Sequence, residues 1–404
     1  MIKNFFKYGL LAVAILSAFI YMRDPTFWRH YYGYFASAVF NEPRGLWYYP
    51  LEDVPGVAQP LPTASATDTV VPRAVFDELD EYLESRNTQS FIVWYQGQIL
   101  HERYFGDINQ NTPIVGKSMA KPLATILVAR AVHQGYIDSL DQPASDFIQE
   151  WQGTDKAEIR IRDILNMTAG LGRFYRNTLN PFDSFHQAFL RSNHDEVIIN
   201  RLSLEDAPGT YYDYSQAVSD LVAVLIESST GQRYAQYLSE AIFQPLGAAG
   251  GEVWVNREEG VAHSGCCIML PSRTWLRLGI LLAQEGVWEE EQLLPIDFNA
   301  EIYAASDANP NYGLNFWLAE PFSERRHFIN PDHLPTAGVY QSEPYEAPDL
   351  FMFDGNGSQV VYIVPSMELV ILRVGDWPID SSGGEEWDNT LLPNRIIKSI
   401  QMSL

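Results

Sequence analysis

Apolar and polar positions along the chain fall into stretches with different periods. Near the amino end, Tyr8 to Met22 is an apolar run preceded by Lys3 and Lys7 and closed by Arg23. Its length lies between a signal-peptide core and a full membrane span of about 20 residues. Counting Phe5 and Phe6 lengthens it, because a lysine can snorkel toward headgroups. The A-x-A-like site Ala36-Ser-Ala38 lies well past the run. Residues 1–30 therefore read as an N-terminal membrane anchor or signal segment, the lysines inside and the body periplasmic or facing the exterior. An aromatic stretch from Phe27 to Phe40 follows, then prolines at 43, 50, 55, 60, 62 and 72. That density predicts a Pro-rich tether over 31–70 without regular structure.

From about residue 71 the periods are those of a folded body. Phe76, Leu79 and Leu83 recur at helical spacing among acidic residues. Phe91 to Tyr95, a Gln96-Gly97 turn and Ile99 to Phe105 predict a β-hairpin. The middle is helical: Leu123 to Val132 is an apolar run with Gly135 at its end, and Ala217 to Ser229 is followed by Gly231. Past 350, Gln359 to Val364 and Glu368 to Val374 flank a Pro365-Ser-Met turn and predict a second hairpin. Strands at both ends with helices between them predict an α+β domain over 71–404. Its α/β lobe, an antiparallel sheet flanked by helices, would come from about 71–117 and 251–404. An all-helical lobe would be inserted over about 118–250.

Composition narrows the function. The 404 residues carry 27 basic and 51 acidic side chains, a net charge of −24, which argues against binding a phosphate backbone. A hydrophobic fraction of 46% excludes a disordered chain. The cysteines are two neighbours, Cys266 and Cys267, read as separate buried thiols rather than a disulfide framework or metal site. No GxSxG, HExxH, Walker A or GxGxxG motif occurs, and the histidines show no metal-ligand spacing. No metal or cofactor is implied. His263 beside Ser264 does not make a dyad, since neighbours on an extended chain point apart. Glu289 to Glu291 and Asp380 to Glu386 read as solvated loop faces.

Only six lysines occur, and one falls in Ser118-Met-Ala-Lys121. At i, i+3 on a helix start, both side chains share one face with Cβ atoms about 5–6 Å apart. A lysine so placed can take the serine proton, giving a nucleophile without histidine. Pro122 is tolerated in the first turn, where N–H groups lack partners. The helix N-terminus also aims N–H groups at an oxyanion formed on Ser118. The tetrapeptide alone is a weak signal, although Lys121 runs directly into an apolar stretch, an odd place for a solvated charge.

Over residues 75 to 404 the chain resembles the serine β-lactamase and penicillin-binding-protein superfamily, nearest its β-lactamase-related esterases and 6-aminohexanoate-dimer hydrolases. The landmarks come in family order. Ser118-Met-Ala-Lys-Pro122 resembles the nucleophile motif, and Gly135 to Pro143 the segment after it. Ile164-Leu-Asn-Met-Thr-Ala-Gly-Leu171 resembles the Leu-x-His-Thr-Ser-Gly-Leu loop. Pro208-Gly-Thr-Tyr-Tyr-Asp-Tyr-Ser215, Glu227 to Gly231 and Phe243-Gln-Pro-Leu-Gly247 resemble the second motif and its flanks. Asp354-Gly-Asn-Gly-Ser-Gln359 resembles the Gly-rich strand motif.

The resemblance implies a serine hydrolase that cleaves a small ester or amide through an acyl-enzyme on Ser118. Lys121 and Tyr214 would move the proton. The backbone N–H of Ser118, with that of Gln359 or Ser358, would form the oxyanion hole. Gln216, Asn356 and Gly357 would contact substrate. Two departures matter: the family's Tyr-x-Asn is Tyr214-Ser-Gln216, and the Lys-Thr-Gly or His-x-Gly position reads Asn356-Gly-Ser358, without a cation. The competing readings are a non-catalytic cell-wall or peptide-binding homologue and, less favoured, a true β-lactamase or D,D-peptidase.

Overall fold

The computed structural model describes residues 21–40, 48–65, 70–172, 180–327, 338–378 and 386–403. A seven-stranded sheet organises the larger lobe. Its spatial order is Gln98–Tyr104, Thr88–Tyr95, Leu369–Gly375, Gln359–Val364, Phe351–Gly355, Phe316–Leu318, Tyr312–Gly313, and every neighbouring pair is antiparallel. The two ends of the body meet within it, where Val93 lies opposite Ile371.

The strands are apolar on both faces because both faces are covered. Ile92, Trp94, Val361, Ile363, Val370 and Leu372 face one side with the helix Ser272–Ala283. Helix and sheet approach so closely there that a Cβ on Gly279 would stand 2.7 Å from Val370 Cγ1. Phe91, Val93, Tyr362, Val364 and Ile371 face the other side, against Phe76, Leu79 and Leu83 of the helix Arg73–Glu84 and Ile396, Ile397 and Ile400 of Leu391–Gln401. The period of two along each strand sorts its residues between these two cores. The predicted first hairpin closes through Gln96 and Gly97, both at positive φ, as a tight hairpin turn requires.

The helical lobe is built on Ala120–His133, buried from Ala120 to Ala131, with Gln216–Thr230 against it. Gly231, at φ +69°, ends the latter in the left-handed cap its sequence predicts. The α+β class is the one expected.

The segment expected to be a tether is different. Pro25–Phe40 is a helix whose Phe27 and Tyr31 pack with Phe185, Phe189 and Trp254. Leu51–Val54 is a strand paired with Gly251–Trp254, in a four-stranded sheet completed by Ile268–Pro271 and Pro113–Val115. The prolines sit at the edges of these elements: Pro25 opens the helix, with Asp24 accepting the Phe27 N–H, while Pro50 and Pro55 flank the strand. Cys266 and Cys267 are buried as expected but joined as a disulfide rather than separate thiols. Glu289 and Glu290 are exposed, as expected of a solvated turn. Among the described residues no helix is long and apolar enough to cross a membrane. Most of the Tyr8 to Met22 run, and most of Asp380 to Glu386, lie outside the described residues.

Candidate active site

Ser118 stands at the junction of the two lobes, in a 3₁₀ turn Lys117–Met119 that continues into Ala120–His133. Two features shape this turn. Gly116 lies against the Trp275 ring, where a Cβ would meet Cζ2 at 2.2 Å. Lys117 takes φ +51°, a conformation sparsely adopted by residues with a Cβ and often stored at functional sites. Met119 is fully buried behind the turn, leaving Ser118 partly exposed. Burial also lowers the pKa of Lys117, against the opposing charge of Asp376.

Lys121 is only 1% exposed. Its Nζ donates to Ser118 Oγ at 3.2 Å, to Gln216 Oε1 at 2.8 Å and to the Gly265 carbonyl at 2.8 Å. It also stands 4.9 Å from the centroid of the Tyr214 ring.

Tyr214 and Gln216 reach this place because Ser215 caps the helix Gln216–Thr230, its Oγ accepting from the Val218 N–H at 3.2 Å. The 164–171 loop supports the segment before it: Asp213 N–H donates to Met167 O, and Gly209 N–H to Thr168 O. Trp317 stacks on Tyr214 at 6.1 Å and Tyr312 meets its edge at 6.0 Å, fixing the ring.

The Gly-rich hairpin approaches from the other side. Its contact with the serine turn is made by Gly355, where a Cβ would stand 2.8 Å from Gly116 O and 3.1 Å from Met119 Cγ. Gln359 pairs in register with Gly355 and is buried; its side-chain amide donates to Val115 O at 3.0 Å and Asn356 O at 3.4 Å. Gly357 and Ser358 both have positive φ. Their carbonyls accept from Arg373 Nη1, a guanidinium buried in the sheet whose pKa is lowered to about 10 by desolvation. Asn356 is exposed at the tip. Asp354 pairs with Arg326, which lies over the Trp317 ring at 4.2 Å.

The structure thus brings Ser118, Lys121, Tyr214 and Gln216 together and sets Gly355 to Gln359 beside them. Sequence reasoning missed Gly265, Arg373 and a buried group behind Lys121 formed by Asp220, His194 and His263. Gln216 and Asp220, four apart on one helix, were the local signal for that group. His263 Nδ1 lies 2.9 Å from Asp220 Oδ2 and His194 Nε2 lies 3.6 Å from the same oxygen. Donor atoms of the three fall within 4.8 Å of one another. The two imidazole rings are stacked at 4.1 Å, and His263 is the one hydrogen-bonded to the carboxylate. Ser264 Oγ donates to Ser219 O rather than to His263, in keeping with the expected absence of a dyad.

An antiparallel sheet with an inserted helical lobe, and a serine–lysine pair at their junction, define the β-lactamase/transpeptidase-like fold. The beta-lactamase family model matches residues 76–376, and the chain belongs to that family. It is 21% identical over 245 residues to the 6-aminohexanoate-dimer hydrolase of Paenarthrobacter ureafaciens, covering 57% of this chain and 59% of that one. It is 28% identical over 211 residues to esterase EstB of Burkholderia gladioli, covering 46% and 53%. The chain therefore spans less than two thirds of either relative. A penicillin-binding-protein homologue from Caulobacter crescentus has the same fold, with TM-score 0.58 and 15% identity over 83% of this chain and 99% of that one.

Proposed function

We propose that the protein is a serine hydrolase cleaving an ester or amide through an acyl-enzyme on Ser118. The observation that carries this reading is Lys121 Nζ, buried and bound to two carbonyl oxygens, 3.2 Å from Ser118 Oγ.

In its neutral form, Lys121 held this way presents its lone pair to the serine hydroxyl. Oγ attacks the substrate carbonyl carbon while its proton passes to Lys121 Nζ, with the adjacent Tyr214 sharing the transfer. The carbonyl electrons move to oxygen. The oxyanion meets the backbone N–H of Ser118 and that of Gln359 or Ser358. Collapse breaks the bond to the alcohol or amine, which leaves with the proton. Water then adds to the acyl-enzyme by the same steps and restores Ser118.

The names of the esterase and the amide-dimer hydrolase support this substrate class. Asn356, at the tip of the hairpin, supplies no charge for a substrate carboxylate, which favours neutral esters or amides over β-lactams. Turnover of a chromogenic acyl ester tests the reading: hydrolysis by the wild type that vanishes in Ser118→Ala supports it, and equal rates in both proteins contradict it. Nitrocefin is expected to remain intact.

A further inference from the structure

Behind Lys121 lies a fully buried carboxylate with no direct part in the chemistry above. Asp220 Oδ1 accepts from Gly265 N–H at 2.9 Å and from Gln216 Nε2 at 3.3 Å. Those two residues are the ones whose oxygens bind Lys121 Nζ. One carboxylate oxygen thus holds the Gln216 Nε2 and the Gly265 N–H, while Gln216 Oε1 and the Gly265 carbonyl hold Lys121 Nζ. It also settles the Gln216 rotamer, because Nε2 toward Asp220 leaves Oε1 for the lysine. The packing has no slack: a Cβ on Gly265 would stand 2.6 Å from Gln216 Nε2 and 3.2 Å from Asp220 Oδ1.

We propose that Asp220 is a positioning residue for Lys121, fixing two carbonyl acceptors of its Nζ and contributing a buried negative charge that His263 holds at Oδ2. This rests on Lys121 being the proton carrier of the reaction.

The groups around the carboxylate come from several elements. Lys121 faces it from Ala120–His133, His194 from His194–Arg201, and His263 from the loop after Gly251–Trp254. Tyr234 faces it from Tyr234–Leu238, while Arg257 and His30 act on the histidines from farther out. His263 cannot turn away, being stacked between His194 at 4.1 Å and Trp254 at 3.6 Å. Lys121 is the cation among the groups that touch the Gln216 and Gly265 branches, so loss of the negative charge falls on its proton equilibrium.

The test reads Lys121 directly and needs no substrate. In full-length protein labelled with ¹³Cε-lysine, the Lys121 resonance is assigned by its loss in Lys121→Met and titrated in wild type and Asp220→Asn. Removing the carboxylate withdraws stabilisation from the ammonium, so the Lys121 midpoint is expected to fall by about one unit or more. Gln216→Leu cuts only the amide branch and is expected to shift it in the same direction by less. It decides the matter should Asp220→Asn fail to fold. A folded variant whose Lys121 midpoint equals that of the wild type overturns the proposal. A Ser118 that never acylates, with a shifted Lys121, overturns the hydrolase reading and leaves this one standing.

Discussion

Lys121 Nζ donates to the carbonyl oxygen of Gly265 at 2.8 Å, across 144 positions of sequence. That bond ties the start of the helical insertion, beside Ser118, to the loop that re-enters the sheet lobe. It makes the lysine a buried, directed group rather than a solvated charge. Lys121→Ala is expected to lower kcat/KM by about 10²–10⁴-fold, the usual range for loss of a positioned proton acceptor. Lys121→Arg should not restore activity, since a guanidinium stays protonated. Steady-state kinetics on one ester checks both.

Tyr214 has two separable roles. Its ring is packed by Trp317 and Tyr312, and in the proposed mechanism its hydroxyl shares the proton transfer with Lys121. Tyr214→Phe keeps the packing and is expected to leave the melting temperature unchanged while kcat falls about 10²-fold. Tyr214→Ala should lower both. Thermal melts beside kinetics distinguish the two variants.

Gly116 is predicted to be intolerant of any side chain. A methyl there collides with the Trp275 ring, so Gly116→Ala should destabilise by about 1–3 kcal/mol, as overpacking of a close-packed core does. Because the collision lies two residues before Ser118, activity should fall even in protein that remains folded. Urea unfolding supplies the first quantity and active-site titration the second.

The buried histidines predict an acid-side loss of stability. Burial lowers the pKa of His30, and lowers those of His194 and His263 well below 6.5, so the folded state binds these protons less readily than the unfolded chain. Below about pH 6.5 the unfolded chain takes up those protons before the folded chain does, so stability falls as pH falls. Asp220, raised to about 6 by burial, works the other way, gaining its proton in the folded state first and offsetting one of the three. The net effect is a melting temperature that drops from pH 7 to pH 5. His263→Gln should flatten that slope; an unchanged slope would show that the histidines do not set it.

Much of this was legible before folding. Ser118, Lys121, Tyr214 and Gln216 belong to short motifs whose local geometry, a helix start and a capped helix, follows from the residues themselves. The sheet was legible because its strands are apolar runs ending at turn residues such as Gln96-Gly97. The Asp220–His194–His263 group was hidden because its members come from separate elements and meet only through packing. Gly265 bears no side-chain signal at all. The Pro25 to Val54 region was misread for a different reason: counting prolines ignored their placement at element edges, where they are tolerated.

The nucleophilic role of Ser118 is tested most directly by intact-mass spectrometry of the folded protein treated with a fluorophosphonate and with an activated acyl ester. One adduct per chain is expected, located to the peptide containing Ser118 and absent from Ser118→Ala. No adduct with any probe, or an adduct that persists in Ser118→Ala, would contradict it.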